Sequence, residues 1–376
     1  MIGDLVGAPI GSPGGNAISS LSIWGHREGA NRRSSLKTNL LLASVVATAF
    51  YASSSHAGHT AWQYGSMANA SLGAGADMNG AVPFPHSNAW NTDISKQPVD
   101  PNSDNLIASI GVSTGLHPDF GSGTYAGALI GIPYVVVSGS QPLVPIKFTL
   151  YGSQSDPGPY PVPPDAPIEG YKPDGKSFGG DRHVLVIEKD DNRLFEMWLA
   201  YPKTSGAWKA GSGAIFDLNS NDVRPTAQPG WTSADAAGLP VFPGLARYDE
   251  VSTGEIPHAL RFTVAASREA YVPPANHWAS TDTNVNLPPM GMRVRLKASY
   301  VIPSNFSGDT KTILRALQKY GMMVADNGSN WFISGAPDPR FNGRETYMMA
   351  IQMPNLTSYG SQRSMAETPI RSRTLW

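Results

Sequence analysis

Carboxylates, histidines and one basic strand are the residues of this chain whose surroundings suit chemistry. Hydrolysis of a glycosidic bond needs two carboxyl groups about 5–10 Å apart, one kept protonated near neutral pH by its surroundings. Asp181, Glu196, Asp235, Asp249, Glu250 and Glu255 are the candidates. Asp235 lies among small residues, Ser233-Ala234-Asp235-Ala236-Ala237-Gly238, which let a backbone or ligand approach closely. The plainer role for Asp235 is the cap of a short helical turn. Glu196 and Trp198 share a strand face, and a tryptophan ring stacks on sugar C–H groups; the plainer role for Glu196 is a solvent-facing strand residue. His183 and His258 stand near strand starts, and His277 sits in the loop Asn276-His277-Trp278. Strand ends and loops are where sites gather on a rigid β scaffold. Asp235, Glu196, His258 and His183 form the expected catalytic set.

Three histidines could hold a divalent metal as neutral imidazoles. Neither H-x-H nor H-x-x-x-H occurs among them, so local hydrogen bonding at strand ends is the simpler expectation and no cofactor is expected. The basic residues Arg293, Arg295 and Lys297 fall at every second position of Met292–Ile302, and like charges so placed need compensation. With Arg261 they would suit an acidic polysaccharide, or a lyase that stabilises an enolate beside a His or Tyr base. Ion pairs with neighbouring strands are the plainer outcome. Trp198, Arg261, Arg293, Arg295, His277 and Trp278 are the expected substrate contacts. Ser233 lacks the G-x-S-x-G elbow of a hydrolase triad, and Gly179-Gly180 makes neither a P-loop nor a dinucleotide fingerprint.

Composition limits the scaffold that can position these groups. The 376 residues include 39 Gly and 32 Pro, and charged residues make up only 15%. That charge content is well below the usual ~25% and, with so many breakers, argues against coiled coils and helical arrays. A net charge of -1 argues against a nucleic-acid partner. The absence of Cys excludes disulfides and Cys-ligated zinc. Apolar residues at 41%, with 9 Trp, 14 Tyr and 12 Phe, are enough for a sizeable core.

Alternation predicts strands at 128–137, 143–151, 183–188, 193–201, 212–218, 256–264 and 292–302, the last with its basic face outward. Lys189-Asp190-Asp191-Asn192 reads as a hairpin turn. One helix is expected over 310–320, capped by Asp309 and stopped by Gly321. Short strands at 322–325 and 330–334 flank the turn Asp326-Asn327-Gly328. The fold class expected is mainly β, a β-sandwich of jelly-roll type with one or two short helices.

Residues 1–57 read as a leader and export signal: Arg32-Arg33, an apolar stretch from Leu40 to Phe50, and a small-residue cleavage site ending at Ala57. Twin arginine is one form of such a signal and an ordinary secretory signal the other. Residues 58–82 read as a flexible lead-in, 83–352 as the β-sandwich domain and 353–376 as a polar tail. The apolar run is too short for a comfortable membrane span.

Several segments carry a resemblance. They include Gly180-Asp181-Arg182-His183-Val184-Leu185-Val186, the run from Thr232 to Pro240, Glu255-Ile256-Pro257-His258-Ala259-Leu260-Arg261-Phe262-Thr263, and Lys319-Tyr320-Gly321 through Ser329. Over residues 84–345 the chain resembles a group of exported bacterial proteins of unassigned function. The resemblance implies export to the periplasm or exterior and a single domain; it implies no reaction. The expected function is cleavage of glycosidic bonds in a polysaccharide or cell-wall glycan. The alternative is a non-catalytic polysaccharide-binding or cell-surface structural protein.

Overall fold

The computed structural model describes residues 61–172, 180–222, 224, 230–343 and 355–358. The expected leader, residues 1–57, lies outside the described residues, as does all of the tail except 355–358. The protein is mainly β.

Two main sheets are built from β1 (Gly73–Ala74), β2 (His117–Asp119), β3 (Tyr134–Val137), β4 (Val184–Glu188), β5 (Arg193–Trp198), β6 (Ser212–Asp217), β7 (Leu260–Val264), β8 (Arg293–Leu296), β9 (Met322–Asn327), β10 (Phe332–Ser334) and β11 (Leu356–Ser358). The first sheet has the order β6-β5-β4-β3-β1 and the second β11-β8-β9-β7-β10-β2. Both are mixed: β3 runs parallel to β4, β7 to β9 and β10 to β2. A jelly roll is built from antiparallel strands, so this pairing departs from the expected connectivity.

Strands β3, β4 and β5 are apolar on both faces because both faces are covered. Val136, Leu185, Ile187, Leu194 and Phe216 join the main core with Leu260, Phe262, Val294, Met322 and Val324 of the second sheet. Val135, Val137, Val184, Val186, Phe195 and Met197 turn the other way, onto Tyr160, Val162 and Trp208. That is the period-two geometry of a strand buried on both faces. The hairpin β4–β5 forms as its sequence predicts, with Asn192 at φ 54 in its turn.

Other segments differ from expectation. Residues 61–82 are packed: Met67, Ala70 and Met78 are buried and Gln63–Tyr64 pairs with Ala81–Val82. A helix, α1 (Ser103–Ile110), precedes the first of the strands predicted from alternation. Helix α2 (Tyr248–Val251) is a single turn. Helix α3 (Gly308–Lys319) is capped by Ser307, whose side chain accepts from the Thr310 N–H, and Asp309 sits in its first turn instead. Strands β9 and β10 do not pair with each other; β7 lies between them. Thr357, in the expected polar tail, belongs to an edge strand on β8.

The basic face of β8 is not outward. Arg293 donates to the carbonyls of Tyr320, Ala89 and Thr92, and Arg295 to that of Ile94. Each guanidinium is buried because backbone carbonyls satisfy its planar fork of donors.

Candidate active site

Register places a polar row on one face of the second sheet. Arg293 pairs with Met323 and Met323 with Arg261. Arg261 donates to the Ser334 hydroxyl at 2.8 Å, and Ser334 pairs with Asp119. A bulge at Ala325 of β9 brings Asp326 opposite Thr263, two residues beyond Arg261 on the same face.

The loop carrying Asp235 closes over this row. Asp235 accepts from Arg261 Nη2 at 2.8 Å and from the Ala237 N–H at 2.8 Å. The Ser233 hydroxyl donates to Leu239 O at 2.6 Å and accepts from Asp235 N, which holds the turn. The sequence therefore supplies a backbone-capping role for Asp235 and an ion pair together. Burial works against the Arg261 charge, but Asp235 outweighs it and holds the guanidinium above its ordinary range. The Arg261 Nε–H has no acceptor among the described residues.

The first sheet contributes His183 and Glu196. His183 Nδ1 lies 2.6 Å from Glu169 Oε2 and its Nε2 2.9 Å from Ala234 O. Both neighbours are acceptors, so the doubly protonated ring satisfies both. Burial lowers the His183 pKa, but the Glu169 charge and hydrogen bond raise it to about 9. Glu196 is fully buried, reversing the solvent-facing expectation, and accepts from Val241 N at 2.9 Å and Phe242 N at 2.9 Å. Burial pushes its carboxyl up to about 7, against those two N–H bonds.

The solvent end of this framework is carboxylate-rich. Asp326 is half-buried, and burial with the nearby Asp235 charge pushes it up to about 7 despite Arg261. Burial also raises Asp119. Asp181 is exposed and accepts from Trp198 Nε1 at 3.0 Å. Trp198, Trp231 and Trp278 are half-exposed, and the exposed Tyr201 lies 4.1 Å from the Arg182 guanidinium that stacks on it.

His277 is close by. Its Nδ1 lies 2.6 Å from Ala236 O, and burial lowers its pKa, so the ring is neutral with Nδ1–H donating. Trp278 stacks on Tyr271 at 5.9 Å. His183 and His277 thus bind the same turn, at carbonyls two residues apart. His258 does not: its Nε2 lies 3.0 Å from Glu250 Oε2 and its Nδ1 2.8 Å from Ala259 O, in a network with Arg247. The segment Val241–Phe242 separates the two networks, touching Glu196 on one side and Arg247 on the other.

The expected residues therefore divide. Asp235, Glu196, His183, Arg261, His277 and Trp198 assemble around one turn and one sheet face; Arg293 shares that sheet face with Arg261 but is held by backbone carbonyls, and His258 and Arg295 lie elsewhere. Sequence reasoning missed Asp326, Asp119, Glu169 and Ser334. Asp326 had the look of a turn residue before Asn327-Gly328, and only the bulge in β9 sets it opposite Thr263, within the electrostatic reach of Arg261. Among the described residues no group of three or more His, Asp or Glu side chains is placed to hold a metal ion. No helix among them is long and apolar enough to cross a membrane.

Comparison with protein-family models, with curated proteins and with solved structures finds no match to this chain.

Proposed function

We propose that the chain is an exported glycan-active protein that cleaves glycosidic bonds by acid–base catalysis. One observation carries the proposal. Asp326 stands half-buried at the solvent end of a preformed charged framework, within the electrostatic reach of Asp181 and Arg261, and burial with the Asp235 charge pushes its carboxyl up to about 7, so that it carries a proton for part of the time near neutral pH. Asp326 is the proton donor to the leaving oxygen, and the exposed, Trp198-bonded Asp181 is the opposing carboxylate. Asp235, Arg261, His183 and Glu196 are too deeply buried to touch a polymer; they position the acid and set its charge. Trp198, Trp231 and Trp278 offer ring faces to sugar.

Release of reducing ends from a panel of polysaccharides tests the reaction. Asp326→Asn is expected to lower kcat by about 10²–10⁴-fold with KM little changed. Full activity in that variant would refute the assignment. The half-exposed aromatics favour one second reading, a polysaccharide-binding protein without turnover. Retention on a polymer with no product formed would select it.

A further inference from the structure

A cavity lies along the same face of the second sheet, beside β8. It measures about 380 Å³ and is walled by Ile94, Leu106, Pro274, Pro289, Met292 and Met323, with Arg268 and Asp100 also lining it. This volume is in the range of small-ligand sites, which are mostly apolar with a few placed polar groups.

Arg268 is the unusual member. Its guanidinium is half-buried, yet among the described residues it makes a single long hydrogen bond, Nη1 to Val285 O at 3.4 Å. Among the described residues the Nε–H has no acceptor and no ion pair includes Arg268. Burial lowers its pKa, and Asp100 raises it only from beyond ion-pair distance. Arg293 on the same wall is different, since three backbone carbonyls hold it. Arg268 is therefore a cation at an apolar cavity whose donors the protein leaves largely unused. A carboxylate or sulfonate would complete it, because a guanidinium presents two parallel N–H bonds to such groups. The two Met side chains adapt to an irregular apolar body.

We propose that this cavity binds a small amphipathic anion: an acidic head on Arg268 and an apolar body between Met292, Met323 and Pro289. The site is independent of glycosidic cleavage, because neither Asp326 nor Asp181 lines it.

Fluorescence titration with anilinonaphthalene sulfonate tests it, with the uncharged N-phenylnaphthylamine as control. Saturable binding of one equivalent of the sulfonate is expected. Arg268→Met should weaken it about tenfold or more and leave the uncharged probe unaffected. Asp100→Asn should tighten it, since a like charge is removed. Met323→Trp, which fills the cavity, should abolish binding of both probes. Circular dichroism of each variant checks that the fold is retained. Sulfonate binding that is absent, or unchanged in Arg268→Met, overturns the proposal.

Discussion

At the residue scale, the buried charges make stability depend on pH. The His183 pKa is raised from 6.5 to about 9 through Glu169. A raised folded pKa gives stability that is fully present below pH 6.5 and is lost as pH climbs through 9. That shift corresponds to roughly 3 kcal/mol. Urea unfolding at pH 6, 7.5 and 9 should show the loss, and Glu169→Gln should flatten it; a wild-type slope in that variant would assign the effect elsewhere. Glu196 behaves likewise at lower pH. Its carboxyl is raised from 4.5 to about 7 by burial, so its contribution is complete below pH 4.5 and gone above 7. Glu196→Gln removes the charge but keeps an acceptor for Val241 and Phe242 N–H. It should make the variant less pH-sensitive between those limits, measured by the same titration.

At the element scale, close approach matters where the 241–246 segment crosses the sheet. A Cβ on Gly244 would stand 2.8 Å from the Trp90 ring and 2.9 Å from Arg261 Cβ. Gly244→Ala should cost about 1–3 kcal/mol by overpacking and displace Arg261 from Asp235. Thermal unfolding measures the first effect; loss of activity with a shifted pH profile would report the second. At the helix cap, Ser307→Ala should cost about 1 kcal/mol, more than Asp309→Asn, because the Ser307 oxygen makes the capping bond. The sequence showed α3 clearly, since Ile313, Leu314 and Leu317 repeat at helical spacing. It placed the cap two residues late because both Ser307 and Asp309 are good capping types. The strands β4, β5, β6 and β7 were equally legible from their apolar runs. The burial of Arg293 and Arg295 was not. Alternation marks which residues share a face, but not whether the carbonyls of residues two hundred positions away wait there. In the candidate site, Asp235, Glu196 and His183 stood out as polar residues within apolar or small-residue strings. Asp326 and Asp119 did not, because strand pairing alone brings them beside Arg261.

At the scale of the whole molecule, two buried polar networks are held apart by Val241–Phe242. In the second, burial works against the Glu250 charge, but Arg247 and His258 outweigh it and hold its carboxyl below the usual range. Removing that charge leaves the fully buried Arg247 with only the Asp249 carboxylate at 3.8 Å and a long bond to Phe242 O. Glu250→Gln should therefore destabilise the protein by about 3–5 kcal/mol, read from chemical denaturation. A loss below 1 kcal/mol would show that Arg247 is satisfied without it.

The mixed pairing of the second sheet also sets an order of assembly during synthesis. The first sheet ends at Asp217, so its strands can align while the ribosome is still translating the remainder. In the second sheet, β2 at 117–119 must wait for β10 at 332–334, and β7 must wait for β9. Until then the nascent chain displays Leu185, Ile187, Leu194 and Phe216 on an uncovered apolar face. Such a half-built intermediate is prone to self-association, so a chaperone that shields that face has a natural client in the growing chain.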